Sequence, residues 1–172
     1  YHKNILFFND LNQRKCAVRI LTYIDGKMYA KSKITNKIEI TFGKVLALQT
    51  NQLKTFIHKE AIRNFIWNPE NIQWINDYLK LFKGEKKQII RNAIFHNEHF
   101  VQKNIKNLKY SVTHGDLNDY NIIIGGKGVR GIIDFGDSLY APVINDLAIA
   151  LSYALMRSEN LYKTLQNIIG TF

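Results

Sequence analysis

From Thr113 to Asn121 the sequence reads THGDLNDYN, and shortly afterwards, from Ile132 to Asp137, it reads IIDFGD. One histidine, two aspartates and two asparagines fall within the first nine residues, and aspartate returns at the end of an apolar run. Polar side chains at that density suit a core poorly and exceed what a turn needs. Asp116, Asn121 and Asp134 together offer a carboxylate base and two oxygen donors for a hard cation. Mg²⁺ is usually held by one or two carboxylates, with phosphate oxygens and water filling the other positions. Phosphoryl transfer asks for this combination: a base to orient the attacking hydroxyl, and a metal to neutralise charge on the β and γ phosphates.

The elements that must position these groups are legible in the periodicity. KYSVT, NIII and VRGIIDF are short apolar runs that read as strands, and GGKG between the last two offers glycines for a hairpin turn. The eight-residue loop from His114 to Asn121 therefore joins two strands, and the next strand ends in Asp134. A Gly-rich loop can also cradle phosphate, but that requires a helix to follow, and here a strand follows. Upstream, CAVRILTYI over residues 16 to 24 is rich in β-branched and aromatic residues and predicts a buried strand, closed by a DGK turn. From about Glu39, the residues Phe42, Val45, Leu46, Gln49, Leu53, Phe56 and Ile57 recur at helical spacing. NPEN at 68–71 ends that region and starts a helix with Ile72, Ile75, Leu79 and Phe82 on one face. A third helix is expected from about Glu85 to Asn107. Two more are expected after DSLYAPV, one from near Ile144 and one in SENLYKTLQNIIG.

Composition bounds the rest. The 172 residues are 46% hydrophobic and 22% charged, which suits one globular domain or one lobe of a larger one. No run approaches the length of a membrane span. The single cysteine, Cys16, cannot form an internal disulfide and reads as a small buried residue in a reducing, cytoplasmic compartment. The formal charge of +10 raises a nucleic-acid partner, a membrane surface or a polyphosphate ligand. The lysines are scattered and no aromatics interleave a basic run, so a solvated basic surface with neither nucleic acid nor membrane as partner is the expected reading.

HGDLNDYN, IIDFGD and the following NDLAIALSYAL resemble the aminoglycoside phosphotransferase family of small-molecule kinases. The wording is closer to the hydroxylysine kinase and homoserine kinase branches, and domains of this type also occur fused to class III, pyridoxal-phosphate-dependent aminotransferases. The resemblance is strongest over residues 110 to 156 and weaker back to VRILTYIDGK. It implies an α+β, protein-kinase-like fold: the C-terminal lobe, mainly helical, with a small β-hairpin carrying the catalytic loop. It further implies Mg²⁺-dependent transfer of the γ-phosphate of ATP or GTP to a hydroxyl of a small, amino-bearing molecule. Asp116 would be the catalytic base, Asn121 and Asp134 the metal ligands, and His114 and Asp146 supports of the loop. Leu21 and Tyr23 would belong to the hinge that meets the nucleotide base. Asp119 and Asp137 would face substrate amine or metal.

Each assignment competes with a plainer one. Asp116 could cap a turn, and Asn121 could tie the loop to its own backbone. Asp137 could serve a turn, and Asp146 could N-cap its own helix. Asp134, after an apolar run, must be paired or metal-bound if it is buried. His96 and His99 in HNEH, and His58, read as solvated helix residues, while Arg63 and Trp67 could shape an acceptor pocket or, for Trp67, anchor a core. No phosphate-covering Gly-x-Gly-x-x-Gly and no upstream strand lysine is visible. Residues 1–26 are thus expected to be the end of an N-terminal lobe and the hinge, and 27–172 the helical lobe, continuous with a largely absent N-terminal lobe. The alternatives are a non-catalytic kinase-like module within a larger enzyme and, behind it, a basic nucleic-acid-binding domain.

Overall fold

The computed structural model describes residues 5–126 and 128–172; residues 1–4, in the expected end of an upstream lobe, and Lys127, in the expected hairpin turn, lie outside the described residues. The chain begins with β1 (Ile5–Asn9), β2 (Lys15–Arg19) and the two-residue β3 (Lys27–Met28), followed by α1 (Asn36–Leu53). A long irregular stretch leads through a 3₁₀ segment, Gln73–Leu81, to α2 (Gly84–His96), a π turn (Asn97–Val101) and the single turn α3 (Gln102–Asn104). Then come β4 (Tyr110–Thr113), β5 (Ile122–Gly125), β6 (Gly128–Ile132), β7 (Leu139–Pro142), α4 (Ile144–Met156) and α5 (Leu161–Ile169).

α1 starts where Thr35 accepts the N–H of Ile38 at 3.4 Å, a side-chain cap for an otherwise unpaired donor. Ile38, Phe42 and Leu46 then recur every four residues and are buried together. They meet Tyr29, Leu117, Ile122 and Ile124 on one side, and Leu147, Ala150, Ala154 and Ile168 from α4 and α5 on the other. Small residues let the helices come close. A Cβ on Gly43 would lie 2.2 Å from the Ile168 carbonyl oxygen and 2.3 Å from the Thr171 hydroxyl.

Among the described residues there are three small antiparallel sheets: β1–β2, which contributes nothing to this core, β3–β5–β6 and β4–β7. Two of them fix the functional loops. β4 pairs Thr113 with Leu139, and β5 pairs Ile122 with Ile132. The loop 114–121 and the loop 133–138 therefore have both of their ends pinned against each other. The β5–β6 hairpin is the one expected from GGKG, with Gly126 at φ +61°.

Several expectations are corrected. The strand expected over 16–24 ends at Arg19 and is exposed, because its ribbon with β1 has no described layer over it. Leu6, Phe7, Phe8 and Ile20 stand open, and Cys16 is only partly buried. α1 stops at Leu53, leaving Phe56 and Ile57 outside it and exposed. Residues 73–81 form a 3₁₀ segment with no buried residue, so the apolar face of Ile75 and Leu79 has no core to pack into. The helix expected over 85–107 is interrupted by the π turn, where His96 and His99 stack on Phe100 and Phe95. Trp67 is exposed with its edge against Trp74, not a core anchor. Among the described residues no helix is long and apolar enough to cross a membrane.

Replacing Gly43 by alanine forces a methyl group into the backbone of α5. The expected loss is about 1–3 kcal/mol, or roughly 2–12 °C in Tm for a chain of this size. Thermal unfolding followed by circular dichroism checks it, and an unchanged Tm would mean the helices can separate freely.

Candidate active site

The loop 114–121 is built around a buried histidine. His114 is 0% exposed, and its backbone N–H donates to Asp146 Oδ2 at 2.8 Å. The Gly115 N–H donates to Oδ1 of the same carboxylate at 3.0 Å. Asp146 lies in the first turn of α4 but caps nothing there, since Val143 holds the cap position. It faces outward from its own helix to the loop, so the N-cap expectation is corrected. Gln49 on α1 completes the contact, Nε2 to Oδ2 at 3.2 Å. Burial pushes the Asp146 carboxyl above its ordinary value, against the downward pull of the Gly115 and His114 N–H groups.

The imidazole of His114 joins the two loops. Nε2 lies 2.9 Å from the Ile133 carbonyl oxygen, and Nδ1 accepts the Asp116 N–H at 3.2 Å. Both bonds are satisfied by a neutral ring with its proton on Nε2. The ring also sits 4.5 Å from that of Phe135. Gly115, at φ +84°, passes so close to the second loop that a Cβ would meet the Asp137 carbonyl at 2.4 Å. Only glycine fits both constraints.

Asp116 is held on one oxygen. Oδ2 accepts from Asn118 Nδ2 at 2.8 Å and from Asn121 Nδ2 at 3.0 Å, while Oδ1 has no partner among the described residues. Asn121 Nδ2 also donates to the Asp116 backbone oxygen at 2.8 Å, which turns its own Oδ1 away from Asp116. One further ladder bond, Ile133 N to Asn121 O at 3.0 Å, sets the residue before Asp134 beside Asn121. Asp134 itself is exposed, at φ 64°, and among the described residues accepts only the Gly136 N–H at 3.4 Å. The apolar run before it does not enclose the carboxylate, so burial does not force the pairing or metal binding expected of it: the chain turns left-handed there and lifts it out. A non-glycine residue in that conformation costs energy and is found most often at functional sites. Asn121 Oδ1 and the Asp134 carboxylate are hard oxygen donors of the kind Mg²⁺ takes.

The remaining predicted residues separate. Asp137 lies in the 3₁₀ turn Phe135–Asp137, beside Gly115. Asp119 is buried and pairs with Arg157, while its carbonyl accepts the Ala30 N–H at 2.9 Å. Its carboxylate is therefore committed to a cation of the chain, which corrects its expected role towards substrate amine or metal. Leu21 and Tyr23 sit exposed in the extended segment between β2 and β3. Arg63 reaches the second loop, Nη2 to the Gly136 carbonyl at 3.1 Å. Two contributors were not singled out from sequence, Gln49 and Arg157. Gln49 had left a signal, as a polar residue at core spacing within an apolar helix face.

Residues 5–168 match the profile of the phosphotransferase enzyme family. The chain belongs to that family. Among curated relatives it is 29% identical over 169 residues to a hydroxylysine kinase of Mus musculus, covering 90% of this chain and 45% of the relative. A hydroxylysine kinase of Xenopus laevis is 32% identical over 163 residues, covering 86% of this chain and 44% of the relative. The chain thus spans less than half the length of these relatives. Among solved structures, an amicoumacin kinase in complex with AMP-PNP, Ca²⁺ and Ami superposes with a TM-score of 0.65 at 15% identity, over 98% of this chain and 52% of that one. The GDP complex of an aminoglycoside 2'-phosphotransferase-IIIa gives 0.64 at 13% identity, over 96% and 58%. The fold is therefore the kinase-like one of these phosphotransferases.

The raised pKa of Asp146 has a definite sign. A carboxyl whose folded value exceeds its unfolded one contributes stability that is full below the unfolded value and is lost as pH rises through the folded value. Relative to Asp146→Asn, the wild-type chain is expected to lose stability as pH climbs above 3.8, with the gap constant once Asp146 is ionised in the folded state. Urea unfolding of both proteins across that range checks this; a wild type that gains on the variant with rising pH would reverse the assignment.

Proposed function

We propose that this chain carries the catalytic lobe of a Mg²⁺-dependent kinase that transfers the γ-phosphate of ATP or GTP to a hydroxyl of an amino-bearing small molecule resembling hydroxylysine. The observation that carries this is the half-committed carboxylate of Asp116. Two side-chain amides fix its rotamer through Oδ2, and Oδ1 is left for an incoming hydroxyl. That oxygen accepts the hydroxyl proton as the substrate oxygen attacks the γ phosphorus in line. The bond from the γ phosphorus to the bridging oxygen breaks, and nucleoside diphosphate leaves. Asn121 and Asp134 are the residues that would hold Mg²⁺, which supplies charge neutralisation on the β and γ phosphates. His114 and Asp146 do not touch the reacting atoms. They position Asp116, one through its backbone N–H and the other through the two residues before it.

The amine-bearing acceptor rests on the curated relatives and on Asp137, which lies beside the catalytic loop without the ion pair that occupies Asp119. We read residues 1–26 as the hinge and the end of an N-terminal lobe, and 27–172 as the helical lobe, working in the reducing cytoplasm. The buried core runs from Tyr29 to Ile168, while β1, β2 and the segment carrying Leu21 and Tyr23 lie outside it with their apolar side chains open.

Removal of the base should act on turnover. General-base contributions are about 10²- to 10⁴-fold, so Asp116→Ala is expected to lower kcat for 5-hydroxylysine by at least ~100-fold with nucleotide affinity little changed. Asp134→Ala is expected instead to abolish the Mg²⁺-dependent part of nucleotide binding, read by calorimetric titration of Mg-ATP and Mg-GTP. Near-normal turnover in Asp116→Ala would reject the base, and Mg²⁺-independent binding in the parent chain would reject the metal assignment.

A further inference from the structure

A cleft of about 620 Å³ lies away from the loops just discussed, between the start of α1 and the junction of α4 with α5. Both helix N-caps, Thr35 and Asn160, line it. Its charges are mixed. Lys33, Lys163 and Arg157 line the cleft with Glu159, and Glu39 lies in its wall, only 7% exposed. Each carboxylate oxygen of Glu39 accepts one bond from a neutral donor, Thr164 Oγ1 at 2.6 Å and Asn167 Nδ2 at 2.7 Å. A carboxylate can accept about four bonds, so each oxygen keeps a lone pair beyond these two bonds.

A second group lacks a partner. Tyr29 is 1% exposed, lines the cleft, and has no hydrogen bond to its hydroxyl from any described residue. Its hydroxyl is not fully enclosed, so it opens onto the cleft. Burial and then the nearby Glu39 charge push this phenol above its ordinary value, so it is a neutral O–H donor. The cleft therefore presents a buried carboxylate acceptor, an unused phenolic donor, and cationic groups reinforced by two positive helix ends.

We propose that this cleft is a second binding site, separate from the catalytic loop, for a small zwitterion of the α-amino-acid type. Its ammonium sits on Glu39, and its carboxylate takes the Tyr29 hydroxyl and the Lys163 and Arg157 side. The charge balance selects this class. A plain phosphate or nucleotide would meet the buried Glu39 carboxylate, and a plain amine would meet three cationic side chains and two helix N-termini. Occupancy reaches the catalytic loop through one bond, because Arg157 is also the partner of Asp119. The inference does not depend on the kinase reading.

The test is titration of the 172-residue chain with L-glutamine, read in two-dimensional ¹H–¹⁵N NMR spectra. n-Butylamine and inorganic phosphate serve as probes carrying one charge each. L-Glutamine is expected to shift the amides of Asn36–Ile38 and Leu161–Lys163, with neither single-charge probe doing so at the same concentration. Tyr29→Phe removes a hydroxyl that no described residue bonds, so the fold should persist while affinity falls about threefold to tenfold. Lys163→Ala should weaken it similarly, and Glu39→Gln, which retains an acceptor for Thr164, should weaken it most. No shift on the order of 10 mM ligand overturns the proposal. Shifts confined to Gly115–Asn121, binding of phosphate or butylamine equal to that of L-glutamine, or unchanged affinity in Tyr29→Phe and Glu39→Gln would overturn it equally.

Discussion

Burying the Asp146 carboxylate costs free energy that the N–H groups of His114 and Gly115 only partly return, since the balance leaves its pKa raised. Removing the carboxylate would leave those two donors facing a low-dielectric interior, where an unpaired N–H costs roughly 1–3 kcal/mol. The contact is thus held less for net stability than for position. It fixes the first turn of the loop against α4, and every later feature of the site inherits that position. His114 presents Nδ1 to Asp116 and Nε2 to Ile133 only because its backbone is held there.

The two strand pairs then convert one anchored turn into a paired site. Thr113 opposite Leu139 and Ile122 opposite Ile132 close both loops at both ends, and Gly115 against Asp137 brings their middles into contact. Within that frame the polar groups divide their hydrogen-bonding capacity. Amides of Asn118 and Asn121 occupy one oxygen of Asp116, and the left-handed turn at Asp134 keeps its carboxylate accessible. The groups left open are oxygens on three side chains, two of them carboxylates. This is chemistry suited to a proton and a hard cation, and it costs the fold a strained residue and a desolvated acid.

Sequence reading was accurate where one local periodicity decides the outcome. The body of α1, α4, α5 and the β5–β6 hairpin lie where apolar spacing and turn glycines place them, although α1 ends before Phe56 and Ile57. It was inaccurate where a partner remote in sequence decides. The apolar run 16–24 has the composition of a buried strand, but composition cannot report that nothing among the described residues covers it. The 73–81 segment has an amphipathic pattern without a core to meet, and β7 forms only because β4 is there to receive it. At the site, the residue types of Asp116, Asn121 and Asp134 were legible from spacing alone. The partners of Asp119 and Asp146 were not. One aspartate is taken by an arginine 38 positions away, and the other turns from its own helix end to donors 31 and 32 positions upstream.

Those two long-range contacts share an element. Asp146 lies in the first turn of α4 and Arg157 immediately follows its last, so the helix supplies an acid at one end and a base at the other. The loop 114–121 is therefore tied to α4 at two points, His114 and Gly115 through Asp146 and Asp119 through Arg157, with Leu117, fully buried, between them in sequence. A shift of α4 along its axis must carry the loop with it. The cleft lined by Arg157 consequently shares that side chain with the tie that holds Asp119.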